Sequence, residues 1–131
     1  MGATRGTLFY DVARMRLIDA AALREIARYN CAIYIVGYAV ECALKWAVAV
    51  RRGDIYLDEQ FEHHSWDALV DSAHLRNSLD SNPTLKAVYS TIVDQWHPSL
   101  RYMATTFTRQ QAAVLHNEVA AVFDWIVDTI T

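Results

Sequence analysis

The chain has 131 residues, 53% of them hydrophobic and 21% charged, with four Gly and two Pro. That is material for one domain (1–131) with a real core, and so few chain-breakers point to long helices joined by short turns. A net charge of −3 with scattered basic residues excludes a broadly cationic nucleic-acid surface, while leaving room for a local patch.

No stretch alternates apolar and polar residues at period two, so strands are not expected. The first helix is predicted from about Leu8 to Ala27, with Leu8, Val12, Met15, Ile18, Ala22 and Ile26 as its apolar stripe. Arg28-Tyr29-Asn30 reads as a turn, with Asn30 capping the next helix. That second helix spans about Cys31 to Arg52 and is apolar nearly all round. Asn30, Tyr34, Gly37, Tyr38, Glu41 and Lys45 form its one polar stripe. A small bundle is not expected to cover so much apolar surface, which predicts a second subunit against this helix. Glu41 and Lys45 near its middle make a membrane span costly, so the helix reads as a buried central one. Residues 1–6 show no secretory signal, and the expected location is the cytoplasm. Cys31 and Cys42 lie about 16 Å apart along the helix, too far to bridge, and read as small buried hydrophobes.

Gly53 and Asp54 end the second helix, and residues 54–64 read as the longest loop, pinned by Ile55, Tyr56, Leu57 and Phe61. Ser65 caps a third helix to about Leu79, and Asn82-Pro83 opens a fourth to about Trp96. His97-Pro98-Ser99-Leu100-Arg101-Tyr102 is a break, because Pro98 disfavours helix at His97. The last helix starts near Thr108, which forms a capping box with Gln111. Its stripe is Ala112, Leu115, Val119, Val122 or Phe123, Ile126 and Ile130.

Three segments carry a family resemblance. Residues 28–45 hold a Tyr-rich helix with Gly-Tyr-Ala-Val-Glu-Cys-Ala-Leu-Lys at its centre. His64-Ser65-Trp66-Asp67-Ala68-Leu69 opens the third helix, and Leu100-Arg101-Tyr102 precedes the last. In this order they resemble the HEPN family (the higher-eukaryote and prokaryote nucleotide-binding fold). The resemblance implies an all-α antiparallel bundle of about five helices, usually dimeric. It also implies a toxin–antitoxin, antiviral-defence or nucleotidyltransferase-linked system, acting on RNA or nucleotide. The partners implied are a second copy, a nucleotidyltransferase-type protein, and RNA or nucleotide.

Many active members of that family carry an Arg followed, after four to six residues, by a His. Imidazole moves protons near neutral pH, and guanidinium holds phosphate, so such a pair cuts RNA without metal or cofactor. Arg101 stands at the family's Arg position, but Thr106, Phe107 and Thr108 stand where the His would be. The pair Arg109 and His116 has the right count, sits about 10 Å apart on one helix face, and comes later than the family places it. His97 and Arg101 can converge on one phosphate around the turn, or His97 can cap it. Tyr34, Tyr38, Glu41, Lys45 and Tyr102 complete the candidate binding residues, although Glu41 and Lys45 also form an ordinary helix pair. His63-His64 beside Glu62 lacks convergent metal spacing, and no metal site is expected. Trp66, Trp96 and Trp125 are expected in the core. The leading expectation is a HEPN-type protein with a degenerate ribonuclease motif, metal-independent if enzymatic. The alternative is a non-catalytic homodimeric interaction module that binds a partner protein.

Overall fold

Helices α1 (Gly6–Glu25) and α2 (Tyr29–Arg52) form a hairpin that the rest of the chain packs around. The computed structural model describes residues 3–53, 56–58, 65–102 and 106–131. After α2 come α3 (Trp66–Ser72), α4 (Arg76–Asp80), α5 (Pro83–Gln95), a 3-10 turn (Pro98–Tyr102) and α6 (Arg109–Ile130). The molecule is a helical bundle. Among the described residues it also holds a short antiparallel ribbon, in which β1 (Ala3–Arg5) pairs with β2 (Tyr56–Asp58), Ala3 opposite Asp58. β2 lies in the segment read as loop. Of that loop's other anchors, Ile55 and Phe61 lie outside the described residues, as do Glu62, His63 and His64.

The turn between α1 and α2 differs from the expected one. Arg28, not Asn30, stands at the N-cap, and Asn30 lies within α2. α1 ends in a Schellman motif, with Arg28 N–H on the Leu23 carbonyl at 2.8 Å and Ala27 N–H on Arg24 at 3.1 Å. Its left-handed position is Ala27, at φ 59°, where glycine is usual. The predicted third helix is broken the same way: His74 takes φ 56°, Leu75 N–H reaches Val70, and α4 starts in a new direction. Arg51 of α2 holds the break, donating through Nε to the Ala73 carbonyl at 3.2 Å. The caps at Ser65, Asn82 and Thr108 stand where the sequence places them, and Gly53 is left-handed after α2.

α2 is the axis of the core. Val36, Ala39, Val40, Ala43, Leu44, Ala47 and Val48 are all essentially inaccessible, packed between α1, α6 and α3. The apolar surface that the sequence leaves over for a second subunit is therefore covered within the chain. Its most apolar window, long enough by composition to cross a membrane, is 61% buried inside the protein. Cys31 departs from expectation by being exposed, while Cys42 is half-buried and burial pushes its thiol up to about 11.

α1 reverses the predicted orientation. It buries Gly6, Ala13 and Ala20 against the core, while Leu8, Met15 and Ile18, and Ile26 just past its end, face outward. Small residues on α1 and the alanines of α2 let the two backbones approach closely, and a stripe of bulky residues would hold them apart.

One substitution checks the left-handed turn after α1. Ala27→Gly should raise stability by up to about 1 kcal/mol, because it removes a left-handed penalty without removing a contact. Urea unfolding should show a higher midpoint at unchanged slope, and an unchanged or lower midpoint would count against that backbone reading.

Candidate functional site

One tryptophan joins two of the three segments that carry the family resemblance, and the third, in the 3-10 turn, packs against the same helix α2. A Cβ placed on Gly37 would overlap the Trp96 indole, so the ring lies directly on the α2 backbone. Its Nε1–H donates to the Ile33 and Tyr34 carbonyls, each at 3.1 Å. Trp66, beside the Ser65 cap of α3, stacks on it at 5.3 Å between centroids and 18° between planes. Tyr38 meets it edge-on at 5.0 Å, and the Tyr34 ring lies nearly parallel at 6.5 Å. The Tyr34 and Tyr38 hydroxyls share a hydrogen bond at 3.1 Å. These aromatics are packed together, and Trp66 and Trp96 are core residues as expected.

Trp96 is also the last residue before the break that holds the 3-10 turn. The other end of the break is tied to the same turn of α2, where Phe107 N–H donates to the Asn30 side chain at 2.9 Å. Asn30 therefore ties the segment entering α6 to the start of α2. The chain is thus tied to α2 at Trp96 and again at Phe107, and the 3-10 turn presents Tyr102 at 79% exposure. His97 is exposed, and its Nδ1 accepts from Ser99 N–H at 3.1 Å and contacts the Ser99 hydroxyl at 2.7 Å. It caps the turn, the local role the sequence offered beside phosphate binding. Accepting at Nδ1 places the proton of the neutral ring on Nε2. Arg101 belongs to the same turn, and its side chain lies outside the described residues.

The positions where a family His would stand have structural work. Phe107 packs against the core, and Thr108 accepts from Gln111 N–H at 3.1 Å in the capping box. The alternative pair is split. Arg109 is exposed at the first position of α6, whereas His116 is half-buried toward α1. Burial and the nearby Arg24 charge push the His116 imidazole below its ordinary pKa, and its enclosed Nδ1 has no hydrogen-bond partner.

Glu41 and Lys45 are committed to each other. Lys45 Nζ lies 3.4 Å from Glu41 Oε2 and 5.7 Å from the centre of the Phe9 ring, with Lys45 buried against α1. A buried ammonium needs such partners, so the pair holds the helices together rather than facing a ligand. Among the described residues, no group of three His, Cys, Asp or Glu side chains could hold a metal ion.

No family model, curated protein or solved structure matches this chain.

Two depressions lie on either side of Phe107. A pocket of about 250 Å³ lies at the start of α2, lined by Arg28, Tyr29, Asn30, Cys31, Thr106 and Phe107. Arg28 gives that helix no side-chain cap, so the positive end of the α2 dipole adds to its guanidinium there. A cleft of about 660 Å³ opens between α5 and α6, lined by Thr91, Gln95, Gln111 and Glu118 among others. Burial pushes the Glu118 carboxyl up from its ordinary value. A carboxylate in that cleft disfavours phosphate, which leaves the α2 pocket as the anion-friendly side. Sequence periodicity missed both the Asn30 tie and this pocket, because each joins residues more than seventy positions apart.

The pH dependence of stability tests the placement of His116. Its folded pKa lies below its ordinary value, so it contributes stability above pH 6.5 that is lost as pH falls through the folded pKa. Between pH 7 and pH 5 the melting temperature of wild type should fall more than that of His116→Gln. Parallel decline in both would show that this imidazole titrates as an exposed one.

Proposed function

We propose that this chain is a HEPN-type RNA-binding protein that holds RNA at the start of α2 without cutting it. The observation that carries this reading is the meeting of α2, the start of α3 and the 3-10 turn around Trp96 and the helix it lies on. Gly37 lies under the indole, Trp66 stacks on it, and the turn holding Arg101 and Tyr102 begins beside it. Segments chosen for their resemblance alone, and distant in the chain, come together at one end of the bundle.

That end has the chemistry for a nucleic-acid strand. Arg28 and the open end of α2 suit a phosphate, Arg109 stands exposed at the start of α6, and Tyr102 offers an exposed ring for a base. What it lacks among the described residues is a free general base. His97 Nδ1 is occupied by the turn, and His116 is turned to α1. Positions 106–108 carry no imidazole. Guanidinium without a proton acceptor binds a phosphodiester and leaves it intact. The HEPN resemblance further suggests a cytoplasmic role in a toxin–antitoxin, defence or nucleotidyltransferase-linked system.

Fluorescence anisotropy with a labelled single-stranded RNA, in chelator and low salt, tests the reading. Wild type should bind, with affinity falling steeply as salt rises. Tyr102→Ala should weaken binding about tenfold, the scale of one lost base stack. Arg28→Ala, Arg101→Ala and Arg109→Ala should each weaken it and flatten the salt dependence, with melting temperatures near wild type. RNA should stay full-length throughout. Absence of binding by wild type would overturn the reading, and cleavage in chelator would overturn its non-catalytic half.

A further inference from the structure

We infer that the cleft between α5 and α6 binds a small organic monoamine, holding its ammonium on Glu118 over an apolar floor. This goes beyond the RNA reading and stands or falls separately from it.

The cleft has the size and lining of a small-molecule site. Its volume is about 660 Å³, within the roughly 300–1,000 Å³ typical of such sites. Ile33 of α2 and Leu115 of α6, each 4% exposed, form its floor, and Val114 lines it at 48% exposure. Thr91 and Gln95, one turn apart on α5, line the opposite side.

Charge selects the kind of ligand. Of the described residues that line the cleft, Glu118 is the only one with an ionisable side chain. It is half-buried, and it has no hydrogen-bond or ion-pair partner among the described residues. Burial raises the pKa of its carboxyl, with no neighbouring charge pulling it back down. Glu41, also half-buried, is matched by Lys45, so Glu118 stands out as a shielded carboxylate whose counter-ion the chain does not supply. An ammonium seated beside it would supply that counter-ion. An anion would be repelled, and among the described residues no group of three potential ligands gathers to hold a metal ion.

Spacing on α6 sets the shape. Gln111 and Glu118 lie on one face of the helix, about 10 Å apart along it, with Val114 and Leu115 between them. The far end is uncharged, since the Gln111 side-chain oxygen is taken by Thr108 N–H at 2.8 Å. The Thr91 hydroxyl is likewise engaged, donating to the Ala87 carbonyl at 2.9 Å. The ligand that fits carries one ammonium and an apolar body. A polyamine does not fit, because its second ammonium would lie on the apolar floor without a partner.

Titration of the full chain with phenethylamine, followed by amide proton–nitrogen correlation spectra, tests this. Phenylethanol and phenylacetate, similar in shape, serve as neutral and anionic counterparts. Phenethylamine should shift the amides of the cleft residues saturably, with a Kd of about 1 mM, the scale for so small a molecule. Phenylethanol should bind about tenfold more weakly, and phenylacetate should not bind. Glu118→Gln should lower the affinity for the amine to that for the alcohol. Because the carboxyl has no partner within the chain, this variant should melt no lower than wild type. Absence of saturable shifts at the cleft, equal binding of amine and alcohol, or an undiminished preference for the amine in Glu118→Gln would each overturn the proposal. No readout here involves RNA, so failure would leave the RNA reading untouched.

Discussion

The contact between the Trp96 indole and the backbone of α2 at Gly37 sets the geometry of everything around it. No side chain can stand at position 37 without displacing the ring. With the ring in place, its N–H reaches two carbonyls of α2, Trp66 stacks on its outer face, and Tyr34 and Tyr38 pack around it. α3, α5 and the break before α6 are thereby referred to one turn of one helix. Asn30 supplies a second tie, accepting from Phe107 N–H at 2.9 Å.

The core resolves a competition that composition alone leaves undecided. α1 has two apolar faces, and only one can pack on α2. The smaller-residue face wins, because close approach of two backbones brings far more atoms into contact than a bulky ridge would allow. The bulkier face is left outside. Surplus apolar surface thus exists in this chain, but on α1 rather than on α2, which its neighbours cover.

Much of the architecture was legible in the sequence, because caps and breaks are local. Asn82-Pro83, Thr108 with Gln111, Ser65 and Gly53 act through backbone groups within a few residues of themselves, and each stands where its chemistry predicts. What was not legible depends on distant partners. His74 breaks the third helix, and the Ala73 carbonyl beside it is taken by Arg51 of another helix. Asn30 has the side chain of a cap, yet its oxygen meets an amide from the far end of the chain. The stripe on α1 was found correctly as a stripe, and periodicity cannot say which of two apolar faces turns inward. At the site, the residue pattern gave Tyr102 and the absence of a family His, while the pocket beside Arg28 required the fold.

The central claim is that Trp96, seated on Gly37, positions an RNA-binding turn. Trp96→Phe tests it most directly, because phenylalanine keeps an aromatic ring at that place but removes the N–H that reaches Ile33 and Tyr34. The two carbonyls belong to the α2 helix, so the substitution strands no acceptor and the protein should remain folded. RNA affinity measured by anisotropy, at a temperature where far-ultraviolet circular dichroism shows a native helix content, should fall about tenfold relative to wild type. Unchanged affinity in a folded Trp96→Phe protein would contradict the account.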